Sequence, residues 1–288
     1  MSKTPLTIVK VGGAVVEDET QLARLLTDFA AIDGRKLLVH GGGRKATRMA
    51  ERLGIETRMV NGRRVTDADM LEVVTMVYGG LVNKNLVARL QASGVNAIGL
   101  TGADAGVISS HRRPPVLVAA TATATTPDKS VSASIATTPD KSVSGSIVDY
   151  GFVGDIDHAD ADTLCRLIEA GLTPVMAPLT HDGKGCMLNT NADTIASETA
   201  KALASHYDVT LIYAFEKKGV LSNPDDDDSV IPVICRGSFE QYKASGAISG
   251  GMLPKIDNAL AAVEAGVGRV IITMATAIDG LHGTVIRA

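Results

Sequence analysis

The chain is poor in aromatic residues: Phe, Tyr and Trp make up 3% of it, and Trp is absent. Single strands of nucleic acid are held by stacking bases on such rings, so this scarcity argues against a base-stacking platform. Excess positive charge is missing too. The formal net charge is -4 at pH 7 and the pI about 5.9, so no basic surface recommends a nucleic acid partner. Cysteine is scarce: Cys165, Cys186 and Cys235 lie far apart without CxxC spacing, which disfavours a disulfide scaffold or a zinc ribbon and suits a reducing compartment. No run approaches the roughly 18 apolar residues of a membrane span, and the first ten residues lack an apolar signal core. The expectation is a cytoplasmic protein with neither nucleic acid nor membrane as partner. What is present is core-forming material. Hydrophobic residues are 45% and charged residues 21% of 288, enough for one large domain or two lobes.

Short β-rich runs alternate with helical patterns. Leu6 to Val11, Lys36 to Val39, Asn96 to Leu100, Thr173 to Ala177, Val209 to Phe215 and Arg269 to Thr273 read as strands. Thr20 to Ile32, Arg44 to Leu53, Ala161 to Ala170, Asp193 to Leu203 and Pro254 to Ala265 read as helices. Ala68 to Leu90 reads as one long helix whose middle Gly79-Gly80 weakens. Gly171 and Gly266 stand where a left-handed residue ends a helix. Such alternation predicts an α/β fold with a mainly parallel sheet covered by helices on both faces. Ala119 to Ile147 breaks the pattern. It contains Thr-Thr-Pro-Asp-Lys-Ser-Val-Ser twice, at Thr125 to Ser132 and Thr137 to Ser144, and reads as a duplicated surface hairpin or loop.

Chemistry concentrates in the turns. Lys10-Val-Gly12-Gly13 ends the first strand, where open α/β sheets place ligands; the glycines let backbone N–H groups approach an anion and Lys10 adds charge. An ordinary βα turn with a surface lysine would read the same. His40-Gly41-Gly42-Gly43 opens a helix, whose N-terminus is an anion site, although close helix-on-sheet packing also demands glycine. His40 reads as a packed residue and not a proton carrier. In Asn61-Gly62-Arg63-Arg64-Val65-Thr66, one arginine could anchor a carboxylate bidentately or be a solvated surface residue, and Thr66 or Asp67 could cap the next helix.

Leu188-Asn189-Thr190-Asn191-Ala192-Asp193 precedes another helix. Its Asn and Asp are ordinary caps, or else Asn189 donates to a substrate and Asp193 holds cations. Ser249-Gly250-Gly251-Met252-Leu253-Pro254-Lys255 again sets a lysine at a helix start, a position that calls for an anionic partner. Asp225 to Asp228 reads as a solvated loop.

Together these give glycine turns, two lysines, an aspartate and no general base. That set suits phosphoryl transfer, which relies on positioning and charge neutralisation. A carboxylate acceptor fits best. With a reference pKa of about 4.3 it is already a nucleophile at neutral pH. Its obstacle is repulsion: two unit charges about 4 Å apart near a protein surface repel by roughly 4 kcal/mol. Lysines aimed at the developing charge offset that barrier.

In order along nearly the whole chain, Lys10-Val-Gly-Gly13, His40-Gly-Gly-Gly43, Asn61-Gly-Arg-Arg-Val-Thr66, Gly99-Leu-Thr-Gly-Ala-Asp104, Gly151-Phe-Val-Gly154, Leu188-Asn-Thr-Asn-Ala-Asp193, Gly250-Gly-Met252 with Lys255, and Gly283-Thr-Val-Ile286 resemble the amino acid kinase family, in its branch acting on N-acylglutamates. The resemblance implies a three-layer αβα sandwich. Residues 1–178 would form an acylglutamate-binding and dimerisation lobe, with the duplicated segment 119–147 inserted, and residues 179–288 an ATP-binding lobe. Lys10 and Lys255 would stabilise the transferring phosphoryl group, and Asp193 would hold both lysines. Gly42, Gly43, Arg64 and Asn189 would bind the acylglutamate. Gly12 and Gly13 would donate N–H groups to phosphate oxygens, with Glu216, Gly219 and Gly251 also on the nucleotide side.

The implied reaction is ATP-dependent phosphorylation of the side-chain carboxylate of an N-acylglutamate to an acyl phosphate, in arginine biosynthesis. Mg2+ would ride on ATP, with no protein metal ligands. N-acetyl-L-glutamate is the default acceptor; N-succinylglutamate, or a catalytically silent sensor on the same fold, is the alternative. Two positions depart from the usual family pattern: Arg63 replaces a Leu, and Glu216 replaces the Asp of a Ser/Thr-Asp pair, so that Phe215 precedes it. Hexameric, arginine-inhibited members carry an extra N-terminal helix; nine residues precede Lys10, so a homodimer without that feedback is expected.

Overall fold

Strands rich in Val, Ile and Leu form the central sheet of the computed structural model, which describes residues 3–119, 145–248 and 252–288. The strands are β1 (Thr4–Val11), β2 (Arg35–His40), β3 (Ala97–Leu100), β4 (Thr173–Met176), β5 (Tyr207–Phe215), β6 (Val233–Ile234), β7 (Arg269–Met274) and β8 (Thr284–Ile286). Their order is β6-β8-β7-β5-β1-β2-β4-β3. The run from β7 to β3 is parallel; β8 pairs antiparallel with β7 and parallel with β6.

Alternating side chains bury both faces, as a parallel sheet requires. Leu6 and Ile8 of β1 join one core with Ile195 and Ala196 of α7 (Ala192–Leu203) and Ile256 and Leu260 of α9 (Met252–Glu264). Val9 and Val11 join the other, with Leu22 and Leu25 of α2 (Glu19–Ala30) and Ala46 and Ala50 of α3 (Gly43–Arg52). Helix, sheet and helix make the three-layer sandwich expected from the sequence. Gly171 and Gly266 take positive φ of 80° and 96° just past their helices, as expected.

The long helix from Ala68 is continuous but not uniform. α4 (Ala68–Val74) passes through a π-helical segment (Thr75–Val82) into α5 (Asn83–Ala92). Gly79-Gly80 lies inside the π segment, where weak local propensity lets tertiary packing set the hydrogen-bond spacing. Of the two capping candidates for α4, Asp67 performs the role and accepts from Met70 N at 2.9 Å.

A second, four-stranded sheet was not legible in the sequence. It joins Met187–Asn189, Leu179–His181, Ile108–Arg112 and Gly154–Ala159. These strands are short and carry polar or charged residues, and a register shift at Ser109/Ser110 breaks their alternation. The sheet draws on chain from both sides of residue 178. Val116–Ala119 pairs antiparallel with Gly145–Val148, so these two strands flank the duplication. The duplicated octapeptides themselves lie outside the described residues.

Candidate active site

β1 and its neighbours β2 and β5 end along one edge, and the connections that follow β1 and β5 run to opposite sides of the sheet, the usual site of a ligand crevice. Lys10 is the penultimate residue of β1, in register with Val39 on one side and Tyr213 on the other. α7 starts above it. Asn191 caps that helix, its side chain accepting from the N–H groups of Asp193 (2.7 Å) and Thr194 (3.3 Å). Asp193 therefore falls in the first turn, where the helix dipole favours an anion.

Lys10 Nζ is 2.6 Å from Asp193 Oδ1, an ion pair whose angles lie outside hydrogen-bond geometry. Asp193 Oδ2 accepts a hydrogen bond from Lys255 Nζ at 2.9 Å. The two lysines and the aspartate predicted to act together thus converge from β1, α7 and α9. Lys10 and Asp193 are 5% and 8% exposed, so their charges interact with little screening by water. Burial alone would raise the Asp193 carboxyl, but the two ammonium groups outweigh it and hold the group below the usual carboxylate range. Burial presses the Lys10 ammonium below the ordinary lysine value; Asp193 opposes that shift and Lys255 adds to it. The triad carries one net positive charge before any ligand arrives.

Beside the triad is a cavity of about 200 Å³ bordered by Gly42, Gly43, Arg64 and Asn189, all four predicted acceptor residues. A Cβ on Gly41 would come within 2.9 Å of Gly13 N, so the turns after β1 and β2 touch backbone to backbone, and one on Gly42 would meet the Tyr78 ring at 3.0 Å. Arg64 is buried. Its Nη2 donates to Gly43 O (2.9 Å) and Thr47 Oγ1 (2.8 Å), while Nη1 makes longer contacts to Thr57 Oγ1 (3.4 Å) and Met70 Sδ (3.8 Å). The guanidinium is pinned in place by its two Nη groups, which leaves its Nε–H as the donor without a protein partner among the described residues.

Asn189 Nδ2 donates to Thr66 Oγ1 at 2.9 Å. Tyr78 was missed by sequence reasoning; its signal was the adjacent Gly79-Gly80, where the helix pattern breaks. Arg63 also borders the cavity, and its guanidinium has neither hydrogen bond nor ion pair to any described residue. The turn at Asn61-Gly62, with φ of 47° and 73°, is the two-residue hairpin connection that aims both arginines. His40 is fully buried: Nδ1 donates to Gly41 O (2.8 Å), and Nε2 accepts from Asn83 Nδ2 (3.2 Å). Burial lowers its pKa to about 4, so it is neutral and structural, as expected.

On the other flank one expectation is corrected. The Gly12 N–H donates to Ala214 O at 3.1 Å, extending the β1–β5 ladder, and so is not offered to a phosphate. Gly13 opens α1 (Gly13–Glu17), where the first helical N–H groups lack intrahelical acceptors. Glu216 follows β5 and pairs with Arg44 of α3 at 3.5 Å, both side chains exposed. Gly219 has a packing reason, since a Cβ there would sit 2.8 Å from Thr284 Oγ1. It also borders an apolar cavity of about 180 Å³ with Val220, Leu221, Ile248 and Met252. Gly251 lies outside the described residues. The acidic run is solvated, with Asp227 and Asp228 paired to Lys217 (2.7 Å) and Lys218 (2.5 Å).

The chain belongs to the amino acid kinase family, whose pattern matches residues 5–274. It is similar to an acetylglutamate kinase of Phocaeicola vulgatus, 59% identical over 285 residues and 99% of each chain. It is also similar to an acetylglutamate kinase of Bacteroides thetaiotaomicron, 58% identical over 282 residues and 98% of each chain. Among solved structures, the smu.665 protein of Streptococcus mutans superposes with a TM-score of 0.71 at 28% identity, over 98% of each chain.

Proposed function

We propose that this protein transfers the γ-phosphoryl group of ATP to the side-chain carboxylate of an N-acylglutamate, N-acetyl-L-glutamate in the first instance, giving an acyl phosphate for arginine biosynthesis. One observation carries the reading: two lysines from opposite ends of the chain meet on the buried carboxylate of Asp193 beside a cavity that holds a pinned arginine. Arg64 and Asn189 orient the acceptor. Gly13 presents its N–H to oxygens of the transferring group, and Gly42 and Gly43 at the α3 N-terminus present theirs to the acceptor. Lys10 and Lys255 neutralise the charge that makes anion-on-anion attack slow, and Asp193 keeps both ammonium groups in place without itself accepting a proton. The apolar cavity at Gly219 takes the adenine, with Glu216 and Gly251 on the nucleotide side.

Mg2+ travels with ATP and neutralises part of its phosphate charge. Both oxygens of Asp193 already face lysine ammonium groups, so this carboxylate serves the lysines. Residues 1–178 form the acceptor lobe, continued by the strands to Asn189, and residues 179–288 the nucleotide lobe. The protein is a cytoplasmic homodimer; among the described residues no helix is long and apolar enough to cross a membrane. Met76 and Leu81, exposed on the π segment, offer the second copy an apolar face, and light scattering tests this.

The test is ADP release coupled to acyl-phosphate trapping, with N-acetylglutamate, N-succinylglutamate, free glutamate, aspartate and carbamate as acceptors. Turnover with free glutamate alone overturns the reading; binding of ATP and acceptor without turnover points to a sensor. Arg63 favours a second reading within the class. A half-buried guanidinium bordering the acceptor cavity, with no hydrogen bond to any described residue and with its electrostatic neighbour Asp155 already paired to Arg113, suits a further carboxylate, as in N-succinylglutamate. A higher kcat/KM for the succinyl acceptor, lost in Arg63→Leu, would select it.

A further inference from the structure

The two lysines of the triad are not held alike. Lys10 projects from the sheet and is almost fully buried, so its surroundings leave it one position. Lys255 is on a helix, and its side chain is 27% exposed. A four-carbon stem with a strongly hydrated head group has many rotamers, and one hydrogen bond to Asp193 does not select among all of them. A second contact is present: the Lys255 ammonium lies 5.2 Å from the centroid of the Phe215 ring.

Phe215 is the last residue of β5. It is itself fixed, 9% exposed, in register with Met274 of β7, and with its carbonyl accepting from Ala275 N at 2.8 Å. It also borders the phosphate-side turn, where a Cβ on Gly12 would lie 3.8 Å from Phe215 Cβ. The ring thus joins the strand end next to Lys10 to the ammonium arriving from α9. The negative face of an aromatic ring attracts a cation without neutralising it. That suits this place: a second carboxylate would cancel the charge the reaction needs, whereas a ring positions it.

We infer that Phe215 is a positioning residue for phosphoryl transfer, holding the Lys255 ammonium toward the reacting phosphoryl group through a cation–π contact and acting only through Lys255. This inference rests on the kinase reading above and adds the device that places one of its two cations. Lys255 acts on charge developing in the transition state, so loss of its positioning should appear in kcat and leave both KM values unchanged.

The test replaces Phe215 by phenylalanines of increasing fluorination, which keep the ring's shape while weakening its negative face. The expected result is a stepwise fall in kcat, reaching roughly three- to thirty-fold for the pentafluoro ring, with KM for ATP and acceptor and the thermal midpoint unchanged. Phe215→Tyr retains kcat, and Phe215→Leu loses it. A flat fluorination series in an active enzyme overturns the proposal, because a ring that merely fills space would give that result. A second measurement needs no turnover. In the unliganded protein the ring current shifts the Lys255 ε-methylene protons upfield, and Phe215→Leu removes the shift; its absence in the unsubstituted protein also overturns the proposal. No turnover in the unsubstituted enzyme with any acylglutamate strikes the kinase reading instead.

Discussion

The two flanks of the crevice, the first proposed for the acceptor and the second for the nucleotide, are built differently. On the first flank Arg64 and His40 are buried and Asn189 half-buried, and all three are bonded before any ligand arrives: Arg64 to Gly43 and Thr47, Asn189 to Thr66, His40 to Asn83 and Gly41. On the second flank the charges are solvent-exposed and paired directly with one another, as in Arg44–Glu216, Lys217–Asp227 and Lys218–Asp228. The lesson concerns where specificity is stored. A small acceptor supplies few contacts, so its site must be preorganised and desolvated for each contact to count. ATP brings many charges and a large base, and on the proposed reading a glycine-lined, largely apolar surface suffices to receive it. The lysine–aspartate triad lies at the junction, buried like the first flank and assembled partly from the second.

The largest effect should come from the junction. Lys10→Ala should lower kcat by roughly a hundred- to a thousand-fold, the scale for removing one preorganised group from a transition state, with a smaller change in ATP affinity. Single-turnover kinetics with nucleotide titration checks this, and unchanged kcat would take Lys10 out of the mechanism. Lys255→Ala should behave similarly.

The next effect sharpens the claim that the acceptor flank is dry. The folded-state pKa of His40 is about 4, below its unfolded value of 6.5. Between those values the unfolded chain binds a proton that the native state does not, so stability falls as pH drops through the window and levels off below it. The full span is on the order of 3 kcal/mol. Urea unfolding of the native protein and of His40→Gln across the window should show a slope in the first that is flatter in the second.

Arg64→Ala should raise the acceptor KM roughly ten- to a hundred-fold, the range for a hydrogen bond to a charged group, while ATP KM stays constant. A pure loss of kcat would contradict anchoring. The smallest effect belongs to the exposed flank: Lys218→Ala should leave the urea midpoint and both KM values unchanged, as solvent-screened pairs do. A marked loss of stability there would break the contrast between the flanks.

Much of the central sheet was readable, because strands buried on both faces become continuous apolar runs, and β1, β2 and β5 read that way. The four-stranded sheet was not readable: Ile-Ser-Ser-His-Arg at Ile108–Arg112 carries a register shift and polar residues, leaving no period to find. In the site, Lys255 stood out because a lysine at a helix start demands an anionic partner, whereas Lys10, Arg64, Asn189 and Asp193 each had an ordinary structural reading and were singled out together by the family resemblance. Tyr78 and Phe215 did not stand out, since an aromatic in an apolar run reads as core, and only a neighbouring cavity or cation gives it a further role. Gly12 failed in the opposite direction. Its type and place fitted phosphate binding, but its N–H is consumed by Ala214.

By itself the sequence determined the alternation of strands and helices, the glycine turns at strand ends and the charged residues needing partners, because periodicity, backbone freedom and helix-end electrostatics are local. Only the tertiary structure decided that the ammonium groups of residues 10 and 255 share the carboxylate of residue 193, and which ring and which N–H face them. Such pairings depend on the order and twist of the strands, which bring together groups hundreds of residues apart and which no short window of sequence encodes.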